Sequence, residues 1–473
     1  MLKPSLTAHE LRDKLRSRDV SAIEAAEYYL KRIHEIDGDI NSIIWLDDED
    51  VMNRAHEADR RITSGKARQF EGVPIPIKCL SPVQGQPFSN ASYGVRERLS
   101  DFSVPAVERL EQAGFVLMGH SNAPELGLLS VSENVRFGKT RNPWNIDYTS
   151  GGSSGGASSA VAGGLAPLAH ASDGAGSTRI PASLTGLIGL KPTRSRITPI
   201  IRSMEDAVTD GVITRTVEDT AALLDILSVP DPLACYAPPI PNETYLDTLY
   251  RPVRRLRIGL MTEAPIDVYV DPQNVDAAKR LATELEGTGH TVFPVEPEVF
   301  SPELVDGFGD LLLGAASWAT PLDEPEKADS YVKTWRSRAE SAHAGQYVDL
   351  AFRMQFESRR IVAQWGRDFD LLVTPTMASL ASRVGEVYDD VRDKAHLGVW
   401  KNTLLGRDCA FTSLCNMSGL PAISLPVHFD SNGLPVGAQL VGGLFREDLI
   451  LKVAAEMESV FEWHKFLAEP ARV

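Results

Sequence analysis

Between Gly151 and Ser183 the chain reads GGSSGGASSAVAGGLAPLAHASDGAGSTRIPAS, and 23 of these 33 residues are Gly, Ala or Ser. So little side-chain volume leaves two outcomes. The run stays mobile, or it is buried where backbones pack too closely for larger residues. Flexible Gly/Ser linkers carry no patterned apolar residues. This run holds AVAGGLAPLA at its centre and continues into RIPASLTGLIGLKPT, which reads as packed chain. Burial is therefore expected, and with it a place where backbone approaches a ligand.

Phosphate cradles fail on residue identity. A P-loop needs a Lys after its second Gly, and 151–183 contains none. A dinucleotide fingerprint needs GxGxxG, but GAGSTR puts Arg179 at the last position. The nucleophile-elbow pattern GxSxG matches around Ser153 and around Ser154, which is cheap in a run this rich in Gly. An elbow also needs a preceding strand of branched residues, and TRNPWNIDYTS is polar and broken by Pro. His396, His428 and His464 follow, none in a setting that marks a triad member. The SxxK tetrad Ser330–Lys333 lacks its SDN and KTG companions. Neither HExxH nor a paired-His spacing occurs, so no metal site is expected.

The rest of the chain is ordinary globular sequence: 473 residues, 43% hydrophobic and 24% charged. A net charge of −16 argues against sequence-independent nucleic-acid binding. Cys79, Cys235, Cys409 and Cys415 form no CxxC pair and fit a reducing, cytoplasmic setting. The N-terminal segment has no apolar h-region, and SAVAGGLAPLAHA is too short and Gly-rich to span a bilayer, so no membrane partner is expected.

Apolar residues at three-and-four spacing predict helices in 7–37, with capping-box patterns at Thr7/Glu10 and Ser21/Glu24. A further helix ends at Ser64-Gly65. Val73 to Leu80 reads as a buried strand with Lys78 near its end. Helices and strands then alternate through AVERLEQAGFVLMG, VEDTAALLDIL, LRIGLMT, DAAKRLATELEGTGHTVF, FDLLVTPTM, PAISLPVHF and REDLILKVAAEMESV. That alternation predicts an α/β fold with a central mixed, largely parallel β-sheet covered by helices on both faces. One domain over 1–473 is expected. Its parts are N-terminal helices (1–65), a core (66–230), a variable, mostly helical region supplying pocket or lid (231–400) and a C-terminal return to the core (401–473).

The Gly/Ser run followed by GLIGLKPTRSRI resembles the signature of the amidase signature family of serine hydrolases. GVPIPIK is similar to the strand bearing that family's catalytic lysine, and RNPWNIDYTSGGSSGG to its lead-in. DGVITRTVEDTAALLDIL and NMSGLPAISLPVHFDSNGLPVGAQLVG resemble later blocks, with 300–400 the weakest region. The likeness is nearest to bacterial amidases of the nylon-oligomer, aryl acylamidase and urethane-cleaving type. It implies an amidase fold, no cofactor, and a Ser-cis-Ser-Lys triad: Ser177 as nucleophile, Ser153 as bridging serine after a cis bond from Gly152, and Lys78 as base.

Chemistry agrees with those assignments. A serine hydroxyl is a poor nucleophile until a neighbour takes its proton. Lysine can do so only when neutral, so its pKa must fall from about 10.4 to about 7. Burial among Ile75, Pro76, Ile77 and Leu80 would do that. The small run Gly174-Ala175-Gly176-Ser177 would let consecutive backbone amides converge on an oxyanion. By the resemblance, Asp173 and Arg179 would brace that loop rather than react, with Ser154 in support. The chain departs from the family pattern where Cys79, expected as a buried filler, replaces the Asp that follows the lysine. It departs again where Ala175 replaces Gly, which requires a negative φ there.

By the same resemblance the segment at the SNAPELGLLS strand contributes to the acyl pocket, where Leu126, Leu128 and Leu129 would form an apolar wall, and Trp318, Tyr331, Trp335 and Met354 would form the remainder or a lid. Trp144 is assigned to the core. The expected substrate is a small, hydrophobic amide, anilide or carbamate, with some ester cleavage, acted on by a monomer or homodimer. The alternatives are the glutaminase subunit of a tRNA-dependent amidotransferase, which the apolar wall disfavours, and a catalytically silent scaffold on the same fold.

Overall fold

The computed structural model describes residues 2–199, 205–234, 236–400 and 403–463; Cys235 and His464 lie outside them. The two capping boxes form as the sequence predicts. Thr7 and Glu10 open α1 (Ala8–Ser17), and Ser21 and Glu24 open α2 (Ala22–Ile40). β1 (Ile43–Trp45) and α3 (Asp48–Thr63) follow, then β2 (Pro74–Lys78), α4 (Pro105–Ala113) and β3 (Val116–Ser121). Gly114, at φ +102°, ends α4 where a Cβ would lie 2.8 Å from Glu71 Cα. A three-stranded sheet results, with β3 between β1 (antiparallel) and β2 (parallel).

The Gly/Ser run folds into α5 (Gly155–Ala162), β4 (Ala169–Asp173) and α6 (Arg179–Thr185). All eight residues of α5 are buried. The reason is close packing: a Cβ on Gly156 would lie 2.3 Å from Asn122 N and 2.6 Å from Ser42 O. α5 thereby contacts all three strands of the small sheet as well as β4. The run is neither linker nor surface loop.

β4 begins an eight-stranded sheet. Its other strands are β5 (Ile188–Lys191), β6 (Thr209–Thr214), β7 (Arg257–Leu260), β8 (Thr291–Pro294), β9 (Leu371–Pro375), β10 (Ala422–Phe429) and β11 (Pro435–Gly442). The order is β4-β6-β5-β10-β11-β9-β7-β8. The sheet is mixed, but the expectation that it is largely parallel is corrected: only β9–β7 and β7–β8 pair parallel. One of the antiparallel pairs shows a local reason. Residues 430–434 between β10 and β11 cannot make the crossover that a parallel pair needs. The parallel pair β7–β8 has such a crossover, the helix α7 (Pro272–Gly287).

Helices cover both faces. On β11, Gly437 faces Ser183 of α6, whereas Gly442 faces Ile450 of α8 (Glu447–Phe461). An odd separation along a strand puts the two contacts on opposite faces. α1 to α3, both sheets and α8 share one hydrophobic core. A second core joins Leu128, Leu129 and α6 to residues from 300–420. Among the described residues no helix is long and apolar enough to cross a membrane.

Gly156→Ala should destabilise the fold by roughly 1–3 kcal/mol, the cost of overpacking a close contact. Gly38→Ala, at an exposed position of α2 with nothing within 4 Å of the new methyl, should be neutral or stabilising. Urea midpoints of the two variants check the contrast.

Candidate active site

β2 ends at Lys78, whose side chain is fully buried. Its Nζ lies 2.8 Å from Ser153 Oγ, 3.0 Å from Ser172 Oγ and 3.3 Å from Ser172 O. Nζ thus has three oxygens within hydrogen-bond distance, two of them on Ser172. Burial pushes the Lys78 pKa down to about 7, against the opposing pull of Cys79, Asp173 and Asp210. Burial alone does not make a base, as Lys191 shows. It is also fully buried and also pushed down to about 7, but its Nζ donates to the Pro192 carbonyl and has no serine partner among the described residues.

The loop before α5 presents Ser153, and the Gly152–Ser153 peptide bond is cis. Gly152 has no room for a side chain, because a Cβ would lie 2.6 Å from the Val131 carbonyl carbon. Ser132 holds the loop by donating to Ser153 O (3.0 Å) and accepting from the Gly155 N–H (2.8 Å). Ser154 donates to Ser172 O (3.1 Å) and accepts from the Ser172 N–H (3.3 Å), which ties the loop to β4. Ser132 and Ser172 escape sequence reasoning because nothing in their neighbourhoods distinguishes them from other buried serines.

Ser177 lies at the entrance to α6, half-buried, and opens onto the same cavity as Ser153 and Ser172. Among the described residues its hydroxyl has no hydrogen-bond partner, so the step from Ser177 to Ser153 is not a formed hydrogen bond here. Such contacts often tighten only once substrate is bound.

Asp173 and Arg179 form a fully buried pair. Arg179 Nε and Nη2 donate to the two carboxylate oxygens at 3.0 and 2.9 Å. The same guanidinium reaches Thr412 O, Gln439 Oε1 and Asn416 Oδ1. Burial by itself would raise the Asp173 pKa, but the Arg179 charge and the Arg179 and Asn416 hydrogen bonds hold it well below the usual carboxylate range. Asp173 also accepts from the Gly176 N–H at 2.8 Å. Of the four amides expected to face an oxyanion, that of Gly176 is therefore already committed. Those of Gly174, Ala175 and Ser177 have no acceptor among the described residues. Gly176 has φ +129°, and a Cβ there would strike Thr412 Oγ1. Ala175 does not have positive φ, so its methyl is accommodated. Cys79 is a buried filler beside Ala91 and Ala123, its thiol pushed up to about 12 by burial.

The cavity measures about 270 Å³ and is lined by Leu126, Leu128 and Leu129 as expected. These leucines do not lie on a strand. They occupy the turn Glu125–Gly127 and the coil beyond it, with Leu126 at φ +54°. Ser130, next along, donates to Asp408, whose carboxyl is pushed up to about 6 by burial and also accepts from Ser379. The expectation for the opposite wall is corrected. Tyr331, Trp335 and Met354 are buried in the second core, and Trp318 is 47% exposed under Arg336. Ala316, Thr320, Trp400, Leu405 and Cys409 line the cavity instead. Aromatic content does not reveal which helix face meets a pocket. Trp144 packs against the first core, and Lys333 of the SxxK tetrad is exposed. Among the described residues no His, Cys, Asp and Glu cluster could hold a metal ion.

The α/β fold and comparison with known proteins place the chain in the class of amide-hydrolysing enzymes. More particularly, it belongs to the Amidase family, whose model matches residues 24–451. It is 32% identical over 480 residues to the 6-aminohexanoate-cyclic-dimer hydrolase of Pseudomonas sp. (strain NK87), covering 95% of this chain and 93% of that protein. It is 31% identical over 493 residues to one of the subunits of the glutamyl-tRNA(Gln) amidotransferase of Azotobacter vinelandii, covering 97% and 98%. The solved structure of a 6-aminohexanoate cyclic dimer hydrolase complexed with substrate matches with a TM-score of 0.91, at 29% identity, over 100% of both chains.

A base must be unprotonated to accept a proton. With a Lys78 pKa of about 7, kcat/KM for a neutral amide should rise as pH increases through 7 and level off above it. An optimum near pH 5 would contradict a lysine base. Separately, Asp173→Asn leaves Arg179 buried without its counter-charge and should cost about 3–5 kcal/mol in urea unfolding.

Proposed function

We propose that this chain hydrolyses small, hydrophobic amides, anilides or carbamates, with some esters, through an acyl-enzyme on Ser177. The observation that carries the reading is the 2.8 Å contact between a fully buried lysine of lowered basicity and Ser153, on the same cavity as Ser177. Ser177 Oγ attacks the carbonyl carbon as its proton passes to Ser153, while the Ser153 proton passes to Lys78 Nζ. The carbonyl oxygen becomes an oxyanion within reach of the Gly174, Ala175 and Ser177 amides, where each donor is worth about 3–4 kcal/mol. The relay then runs backwards, protonating the departing nitrogen as the C–N bond breaks. Water repeats the sequence and releases the acid.

Leu126, Leu128, Leu129, Ile180, Val208 and Leu405 make the cavity mostly apolar, which favours a hydrophobic substrate. Free glutamine fits less well. Among the described residues no Lys or Arg lines the cavity to receive its α-carboxylate. The scheme calls on no metal or cofactor.

A fluorophosphonate probe, read by intact mass and peptide mapping, tests the scheme. Wild-type protein should label stoichiometrically at Ser177 and Lys78→Ala should label far more slowly. Ser177→Ala should neither label nor retain more than about a thousandth of the amidase activity. Labelling at Ser153 or Ser154 that survives Lys78→Ala would overturn the assignment.

A further inference from the structure

Asp210 is the one formally charged side chain among the described residues lining the cavity. Register puts it there. β6 runs antiparallel to β4 with Asp210 directly opposite Ser172, so both side chains leave the same face of the sheet. That is the face on which Lys78 Nζ reaches Ser172 Oγ. His170 lies two residues back along β4 and shares the face. Its Nδ1 accepts from the Lys78 backbone N–H at 3.4 Å, which leaves the ring proton on Nε2. Nε2 sits 3.4 Å from Asp210 Oδ1 but does not make a hydrogen bond to it.

Among the described residues no hydrogen bond reaches the Asp210 carboxylate. Its side chain keeps 19% exposure and lines the cavity, whereas His170 is fully enclosed. The remaining polar groups of the wall are neutral: the hydroxyls of Ser81, Ser130 and Thr320 and the amide of Asn90 among them. With only His170 Nε2 beside it, at 3.4 Å and not aligned to bond, the carboxylate is left under-satisfied at the edge of an apolar cavity, and a ligand carrying a donor relieves that.

We infer that Asp210 is a specificity-determining residue that binds a protonated amine on the substrate and excludes carboxylates from the cavity. The inference rests on hydrolysis in this cavity but not on which serine is acylated. An ammonium group gains a charge-assisted hydrogen bond at Asp210, whereas a carboxylate meets a like charge that the nearby Lys78 and Arg109 offset only from behind the wall, since no Lys or Arg among the described residues lines the cavity. The preferred substrates are hydrophobic amides that also carry a basic nitrogen.

Three ligands of matched length test this against hydrolysis of a neutral anilide: n-pentylammonium, 1-pentanol and pentanoate. In wild-type protein n-pentylammonium should inhibit competitively at least tenfold more tightly than 1-pentanol, and pentanoate more weakly than either. Asp210→Asn should collapse the ammonium preference to within about twofold. Equal inhibition by n-pentylammonium and 1-pentanol in the wild type would overturn the proposal without reference to any variant. So would an ammonium preference that survives in Asp210→Asn, or an Asp210→Asn loss of turnover with the preference intact, the mark of a residue that only positions His170. Calorimetry with the same ligands on wild-type and Ser177→Ala protein reads recognition without turnover. Failure of the acyl-enzyme scheme and failure of amine recognition are therefore separate results.

Discussion

A lysine amine fully removed from water is held at the centre of this fold, and the architecture around it follows from that burial. Leaving an ammonium there would cost several kcal/mol. The structure meets the cost by moving Lys78 to the edge of neutrality and giving its nitrogen three polar neighbours. Those neighbours come from α5's leading loop and from the end of β4, which must close on β2 with almost no intervening volume. Glycine, alanine and serine are the residues that permit it. The composition of 151–183 is thus a packing requirement before it is a chemical one.

A second buried charge keeps the loop in place. Asp173 and Arg179 neutralise each other, and the leftover donors of Arg179 go to Thr412, Asn416 and Gln439. The loop that carries Ser177 is thereby fastened to the C-terminal return of the chain, more than 230 residues away. The fastening also selects which backbone amides stay free. Asp173 holds the Gly176 N–H, whereas those of Gly174, Ala175 and Ser177 have no acceptor among the described residues and are the ones the proposed scheme offers to an oxyanion.

Much of the element pattern was legible because it rests on local physics. Capping boxes at Thr7 and Ser21, the Gly114 stop and the apolar strand ending at Lys78 each follow from neighbours within a few residues. Strand direction was less legible. Alternating helices and strands suggest parallel pairing, but the five residues joining β10 to β11 force the opposite. The cavity wall was half legible. Leu126, Leu128 and Leu129 stood out as an apolar run beside the signature, while Trp335 and Tyr331 turned inward to a second core and left the opposite wall to Ala316, Thr320, Trp400, Leu405 and Cys409.

By itself the sequence excluded phosphate cradles, left a run too small to be anything but closely packed, and through its resemblance to the amidase signature family pointed to two serines and a lysine. Residue identity and short-range spacing carry that information directly. Tertiary structure decided which of these groups meet. Ser172 became a partner of Lys78, Asp210 reached the cavity through its pairing with Ser172, and the Gly176 amide was taken by Asp173. Such contacts depend on strand register and on how far burial moves a charge, and both are set only when distant segments pack together.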